Sequence, residues 1–155
     1  MNFAAVNLGC KVNHAELEGY AALLMDAGAR LSTEQDADLI IVNTCTVTGE
    51  AERKTRKAVH RALAANGYAR VVVTGCSVAI NPRAFSALDE RVCVVPRDKM
   101  GEFLQTEFER EERDPASGHE ALLGRGGESG LARTRAGIKI QDGCDNACTF
   151  RSEEH

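Results

Sequence analysis

Several features are scarce or missing in this chain, and each absence narrows what it can be. No apolar run approaches the roughly eighteen residues of a membrane span, and Met1-Asn2-Phe3 lacks the charged-then-apolar layout of a signal peptide. No membrane association is expected, and a cytoplasmic protein is. Positive charge is not in excess: 19 Lys and Arg against 23 Asp and Glu leave a net charge of −4. Any contact with nucleic acid must therefore come from a local patch or from parts outside this sequence. None of the six cysteines forms a C-x-x-C pair, so the paired knuckles typical of a structural zinc site are missing. Without an export signal these thiols face a reducing compartment, where ligand, catalytic or core roles are favoured over disulfides.

What is present is one pattern used three times. Residues 2–10, 38–45 and 70–76 are short apolar runs, each ending at a turn that carries a cysteine: Cys10, Cys45 and Cys76. Runs rich in Val, Ile and Leu and separated by helical patterns read as buried strands of a parallel sheet. Strand ends of one polarity share one edge of such a sheet, so the three cysteines become neighbours in space. Open α/β sheets hold their ligands at that edge.

Helices fit between the runs. Asn13 and Glu16 match a capping box that opens a helix ending at Gly28, with Leu17, Tyr20, Ala21 and Leu24 as its apolar face. Thr48 is expected to cap a second helix, with Glu50 and Glu52 in its first turn and Asn66-Gly67 at its end. Asn81-Pro82 should open a short helix to about Leu88, residues 92–95 supply a fourth strand, and Asp98 opens a last helix. With 43% hydrophobic residues a real core can form. The alternation predicts an α/β fold: a doubly wound (flavodoxin/Rossmann-like) parallel sheet of about four strands with flanking helices. This domain is expected over residues 1–106. Residues 107–135, mixed in charge and then glycine-rich, read as a linker, and residues 136–155 hold one more strand-like stretch that runs into Cys144 and Cys148.

Thiolates are soft ligands suited to zinc, copper(I) or iron-sulfur clusters. Cys10 and Cys76 follow a glycine and Cys45 follows Asn43-Thr44, so the N–H groups of tight turns can point at thiolate or cluster sulfur. Three thiolates leave a fourth position open, which suits a 4Fe-4S cluster with one iron free. The opposing reading makes them small core residues. His14, at a helix start, is expected to be exposed rather than a fourth ligand, and Cys93, inside a strand run, to pack in the core. Cys144-x-x-x-Cys148 alone fits a thiol redox pair or coincidence as well as cluster ligation.

A set of motifs is more specific: Leu8-Gly9-Cys10-Lys11-Val12-Asn13, Asn43-Thr44-Cys45-Thr46-Val47-Thr48, Arg53-Lys54-Thr55-Arg56, Thr74-Gly75-Cys76, and residues 133–148 with Cys144 and Cys148. Together they resemble the radical S-adenosylmethionine (SAM) tRNA methylthiotransferases, over residues 1 to 150. That resemblance implies an N-terminal domain holding an auxiliary 4Fe-4S cluster through Cys10, Cys45 and Cys76. It also implies a radical SAM barrel whose own 4Fe-4S cluster takes Cys144 and Cys148 as its first two ligands and binds S-adenosyl-L-methionine, and a C-terminal RNA-binding TRAM domain. Lys11-Val12-Asn13 and Thr46-Val47-Thr48 look closest to the branch that converts N6-threonylcarbamoyladenosine-37 of tRNA to its 2-methylthio derivative. By resemblance, a 5′-deoxyadenosyl radical removes hydrogen from C2 of the adenine, and a methylated sulfur from the auxiliary cluster's open iron is inserted there.

The sequence also departs from the family. Arg151 stands where the third radical-cluster cysteine belongs, and neither the full barrel nor the TRAM domain follows, so the chain is expected to be a truncated or frameshifted fragment, inactive on its own. The rival class is a non-enzymatic flavodoxin-like binding module with a zinc or structural cysteine site. Arg53, Lys57, His60 and Arg61 share one helix face, a candidate contact for tRNA phosphates, although nearby Glu50 and Glu52 favour an ordinary solvated surface.

Overall fold

A computed structural model describes residues 1–45 and 49–113. The elements run β1 (Asn2–Asn7), α1 (Lys11–Asp26), β2 (Arg30–Leu31), β3 (Leu39–Thr44), α2 (Gly49–Ala65), β4 (Arg70–Gly75), α3 (Cys76–Ile80), α4 (Arg83–Ser86), β5 (Val92–Val94) and α5 (Met100–Arg113). One parallel sheet has the order β2-β1-β3-β4-β5. This is the flavodoxin-type order, in which the sequence reverses direction between β1 and β3.

The central strands explain the topology. All six residues of β3 are buried, and so are the last five of β4, as expected for strands covered on both faces. Side chains alternate between faces along a strand. Ile40, Val42, Val71 and Val73 accordingly join one core with Val59 and Ala62 of α2. Leu39, Ile41 and Val72 join the other with Leu17 and Leu24 of α1 and with Met100 and Leu104 of α5. Burying each such side chain contributes about 1.5–3 kcal/mol. Among the described residues, no helix is long and apolar enough to cross a membrane.

The doubly wound parallel sheet agrees with the expectation, with differences at the ends of elements. The sheet has five strands rather than four, because Arg30–Leu31 pairs with Asn2 and Phe3 at the edge, a segment too short to show a pattern. α1 begins at Lys11 behind Cys10, two residues before the expected cap Asn13, whose side chain is buried in tertiary hydrogen bonds instead. α3 starts directly at Cys76, and the helix expected from Asn81-Pro82 is a single turn, α4, capped by Pro82. A 3-10 turn, Arg97–Lys99, precedes α5. α5 continues to Arg113, inside the stretch read as linker, and Glu107 ties it to the sheet by pairing with Arg70. Thr48, Cys144, Cys148, the remainder of the linker and the strand-like stretch at 137–141 lie outside the described residues.

Candidate functional site

Three consecutive core strands deliver their ends to one edge. Thr44 pairs with Gly75 in the β3–β4 ladder, so Cys45 and Cys76 are the next residues on adjacent strands, which run about 4.8 Å apart. Asn7 pairs with Asn43 in the β1–β3 ladder, and Cys10 follows as the cap of α1. Cys10, Cys45, Cys76 and Cys93 form no disulfide, with Cys10 exposed and the others half-buried.

Buried polar side chains hold this edge together. Asn13, only 1% exposed, donates through Nδ2 to Asn43 Oδ1 at 3.2 Å and to the Thr44 carbonyl at 2.9 Å. Asn43, fully buried, donates back to the Asn13 carbonyl at 2.7 Å. The Cys10 thiol donates to Asn13 Oδ1 at 3.1 Å. This reciprocal pair of asparagines therefore links the Cys10 turn to the residue before Cys45. Ser77 Oγ adds a bond to the Cys45 carbonyl at 3.1 Å, joining the second and third turns.

Two glycines make that approach possible. A Cβ on Gly9 would lie 2.3 Å from Asn13 Cγ, so a side chain there would displace the asparagine. Gly75 has φ +99, and its Cβ would lie 2.4 Å from the Thr44 carbonyl oxygen. Both the conformation and the space require glycine before Cys76.

His14 differs from expectation. It is buried at 9% exposure, because α1 starts earlier than a cap at Asn13 would place it and turns this residue inward. Its Nδ1 lies 3.3 Å from Asn7 Nδ2, and its Nε2 is 3.1 Å from Glu18 Oε1 without hydrogen-bond alignment. Asn7 Oδ1 accepts from the Gly9 N–H, so the histidine braces the turn before Cys10. Cys93 packs against the second core as expected, and its sulfur accepts from Arg70 Nη2 at 2.9 Å. Burial alone would lower the Arg70 guanidinium, but Cys93 and Glu107 together hold it above its ordinary value.

Three contributors were not read from the sequence. Arg97, just after β5, places Nη2 2.7 Å from Cys76 Sγ and Nε 3.4 Å from Glu16 Oε2. The Asn13–Asn43 pair was hidden because Asn13 looked like a local cap. Thr74, wholly buried two residues before Cys76, has a hydroxyl with no hydrogen-bond partner among the described residues, at a cost of about 1–3 kcal/mol. Only the position of Arg97 at the end of the fourth core strand could have drawn attention to it.

On α2, the ion pairs divide the basic face. Lys54 pairs with Glu50, Arg56 with Glu52, and Arg61 with Glu34. Arg53, Lys57 and His60 are exposed and make no ion pair among the described residues.

The donor set fits an iron-sulfur group by its chemistry: three thiols at the ends of neighbouring strands, backed by tight turns. The sulfurs are not drawn together. Among the described residues no three His, Cys, Asp or Glu side chains form a metal-binding group, and Cys10 and Cys76 direct their sulfurs at Asn13 and Arg97.

A parallel α/β domain with cysteines on three successive strand ends is the class of protein that fold and edge define. Residues 2–95 match the model of the family described as Uncharacterized protein family UPF0004, and the chain belongs to that family. It is similar to threonylcarbamoyladenosine tRNA methylthiotransferase MtaB of Bacillus subtilis, 39% identical over 153 residues, covering 92% of this chain and 34% of that protein. The corresponding protein of Chlamydia pneumoniae is 33% identical over 150 residues, covering 96% of this chain and 34% of the relative. The ribosomal protein uS12 methylthiotransferase RimO of Rhodopseudomonas palustris is 32% identical over 146 residues, covering 94% and 32%. The chain thus spans about a third of the length of the curated relatives it matches.

Proposed function

We propose that residues 1–113 carry the auxiliary-cluster domain of a methylthiotransferase, with Cys10, Cys45 and Cys76 as ligands of a 4Fe-4S cluster. The observation that carries this reading is the delivery of three cysteines to one edge by β1, β3 and β4, beside the point where the strand order reverses. When bound there, such a cluster would supply an open iron for a sulfur to be transferred. The chain's own task is to hold three thiolates in place. The Asn13–Asn43 pair and Gly75 fix the turns, and the half-buried edge limits water at Cys45 and Cys76. A reducing, cytoplasmic setting keeps these thiols available.

At finer grain, we read the substrate as N6-threonylcarbamoyladenosine-37 of tRNA, methylthiolated by radical SAM chemistry. The MtaB relatives are threonylcarbamoyladenosine tRNA enzymes by name, and Lys11-Val12-Asn13 supports the same branch. Cys144 and Cys148 would be two ligands of the radical cluster. With Arg151 at the third position, this chain is not expected to cleave S-adenosylmethionine unaided. Of the α2 face formed by Arg53, Lys57, His60 and Arg61, Arg53 and Lys57 make no ion pair among the described residues and are candidates to meet tRNA phosphates.

One observation favours the rival reading of a flavodoxin-ordered module with structural cysteines: the sulfurs of Cys10 and Cys76 already have side-chain partners. Anaerobic reconstitution with iron and sulfide separates the two. The proposal predicts a brown protein with iron and sulfide near one 4Fe-4S cluster per chain. A colourless protein, or one that retains zinc in preference to iron, contradicts it. A stable second cluster, or cleavage of S-adenosylmethionine, contradicts the expected incapacity of the chain.

A further inference from the structure

Five parallel strands end at the carboxyl edge, and three of them bring a thiol. β1 leads to Cys10, β3 to Cys45 and β4 to Cys76, whereas β5 leads through Val95 and Pro96 to Arg97. The Val95 N–H donates to the Val73 carbonyl at 3.0 Å, so the chain leaving β5 is still fastened to β4 when it reaches the arginine. Pro96 is extended, at φ −60 and ψ 153, and turns the chain into the 3-10 turn that begins with Arg97. The guanidinium then sits between two groups from different elements. Nε is 3.4 Å from Glu16 Oε2 on α1, and Nη2 is 2.7 Å from Cys76 Sγ. The Glu16 side chain is only 7% exposed and that of Arg97 34%, so the buried carboxylate holds one side of the planar fork by charge, without hydrogen-bond alignment, while the other side is directed at the sulfur.

We propose that Arg97 is a positioning residue that donates to the cluster-bound sulfur of Cys76 and sets the reduction potential of the cluster held at this edge. The inference rests on the reading of Cys10, Cys45 and Cys76 as cluster ligands. Hydrogen bonds to the sulfurs and nearby net charge are two of the levers that tune iron-sulfur potentials. A cation donating to a ligand sulfur favours the form that carries the extra electron, so Arg97 raises the potential and its removal lowers it. A purely structural role, fastening α1 to the turn after β5 through Glu16, would change stability and leave the potential alone.

The test is a redox titration of the anaerobically reconstituted full chain, with dithionite supplying one electron per cluster and the reduced cluster followed by electron paramagnetic resonance. In Arg97→Met the ratio of reduced to oxidised cluster at the wild-type midpoint should fall about tenfold, a shift of about 59 mV to lower potential for a one-electron couple. Arg97→Lys, which keeps the charge and loses the fork, should fall between the two. An Arg97→Met protein with full iron content and the wild-type potential overturns the inference and leaves the ligand assignment standing. If Arg97→Met does not hold iron, the same titration of Arg97→Lys decides: a lowered potential supports the role and an unchanged one overturns it. Failure of the wild-type chain to take up iron overturns the ligand assignment, and this inference with it.

Discussion

The two edges of the sheet are built from similar materials to different ends. At the amino edge, where strands begin, Asn66 closes the connections completely. Its Nδ2 donates to the Gln35 and Ala37 carbonyls, its Oδ1 accepts from the Tyr68 and Ala69 N–H groups, and its carbonyl accepts from Arg91. Charges there are matched within the fold, Arg70 with Glu107 and Arg91 with Asp89. At the carboxyl edge, buried asparagines also knit the turns, but the edge presents thiols outside any disulfide and, among the described residues, a buried Thr74 hydroxyl without a hydrogen-bond partner. Buried polar groups are ordinarily hydrogen-bonded, so one left unmet calls for an explanation in its surroundings. One edge secures the fold, and the other spends stability on presenting sulfur.

Substitutions can break or sharpen that contrast. The largest effect should come from the core both edges share: Ile41→Ala, at a fully buried position of β3, is expected to cost about 2–5 kcal/mol in chemical denaturation. Next is the carboxyl edge itself. Gly75→Ala forces a Cβ against the Thr44 carbonyl at φ +99, so a loss of about 3 kcal/mol is expected, at the upper end of backbone strain, together with loss of iron binding. Wild-type stability and iron content in this variant would contradict the account of the Cys76 turn.

The amino edge should respond differently. Asn66→Ala leaves the Gln35 and Ala37 carbonyls and two N–H groups without their partner, and a loss of about 2 kcal/mol is expected with no change in iron uptake. The smallest effect belongs to Asp89. Side-chain and backbone hydrogen bonds from Arg91 hold its carboxyl below the ordinary 3.8. The folded form therefore gains from this pair above pH 3.8 and loses the gain as pH falls through the lowered folded value. A carboxyl titration followed by nuclear magnetic resonance should show a midpoint below 3.8 for Asp89, returning toward it in Arg91→Ala.

Much of this was legible in residue order. The Val- and Ile-rich runs of β3 and β4 announced buried parallel strands, and the recurrence of a cysteine after β1, β3 and β4 announced a common edge. The misses are places where tertiary contacts override local signals. Asn13 has the look of a helix cap, yet a buried partner in Asn43 draws it away, and His14 turns inward as a result. β2 is two residues long and exists only because β1 offers it an edge. The third run was expected to end at Cys76, but Gly75 at positive φ ends β4 one residue earlier, and Cys76 opens a short helix that no local signal announced. Glu107 read as part of a charged linker until Arg70 supplied its partner. Arg97 had no spacing to betray it, since an arginine after a proline is commonplace in a loop.

The claim that one edge holds metal and the other holds the fold is tested most directly by measuring iron per chain and unfolding midpoint together in two variants. Cys10→Ala/Cys45→Ala/Cys76→Ala should lose its iron while its metal-free form unfolds at nearly the wild-type denaturant concentration. Asn66→Ala should keep its iron and unfold earlier. A triple-alanine protein that still takes up a full complement of iron and sulfide would contradict the account.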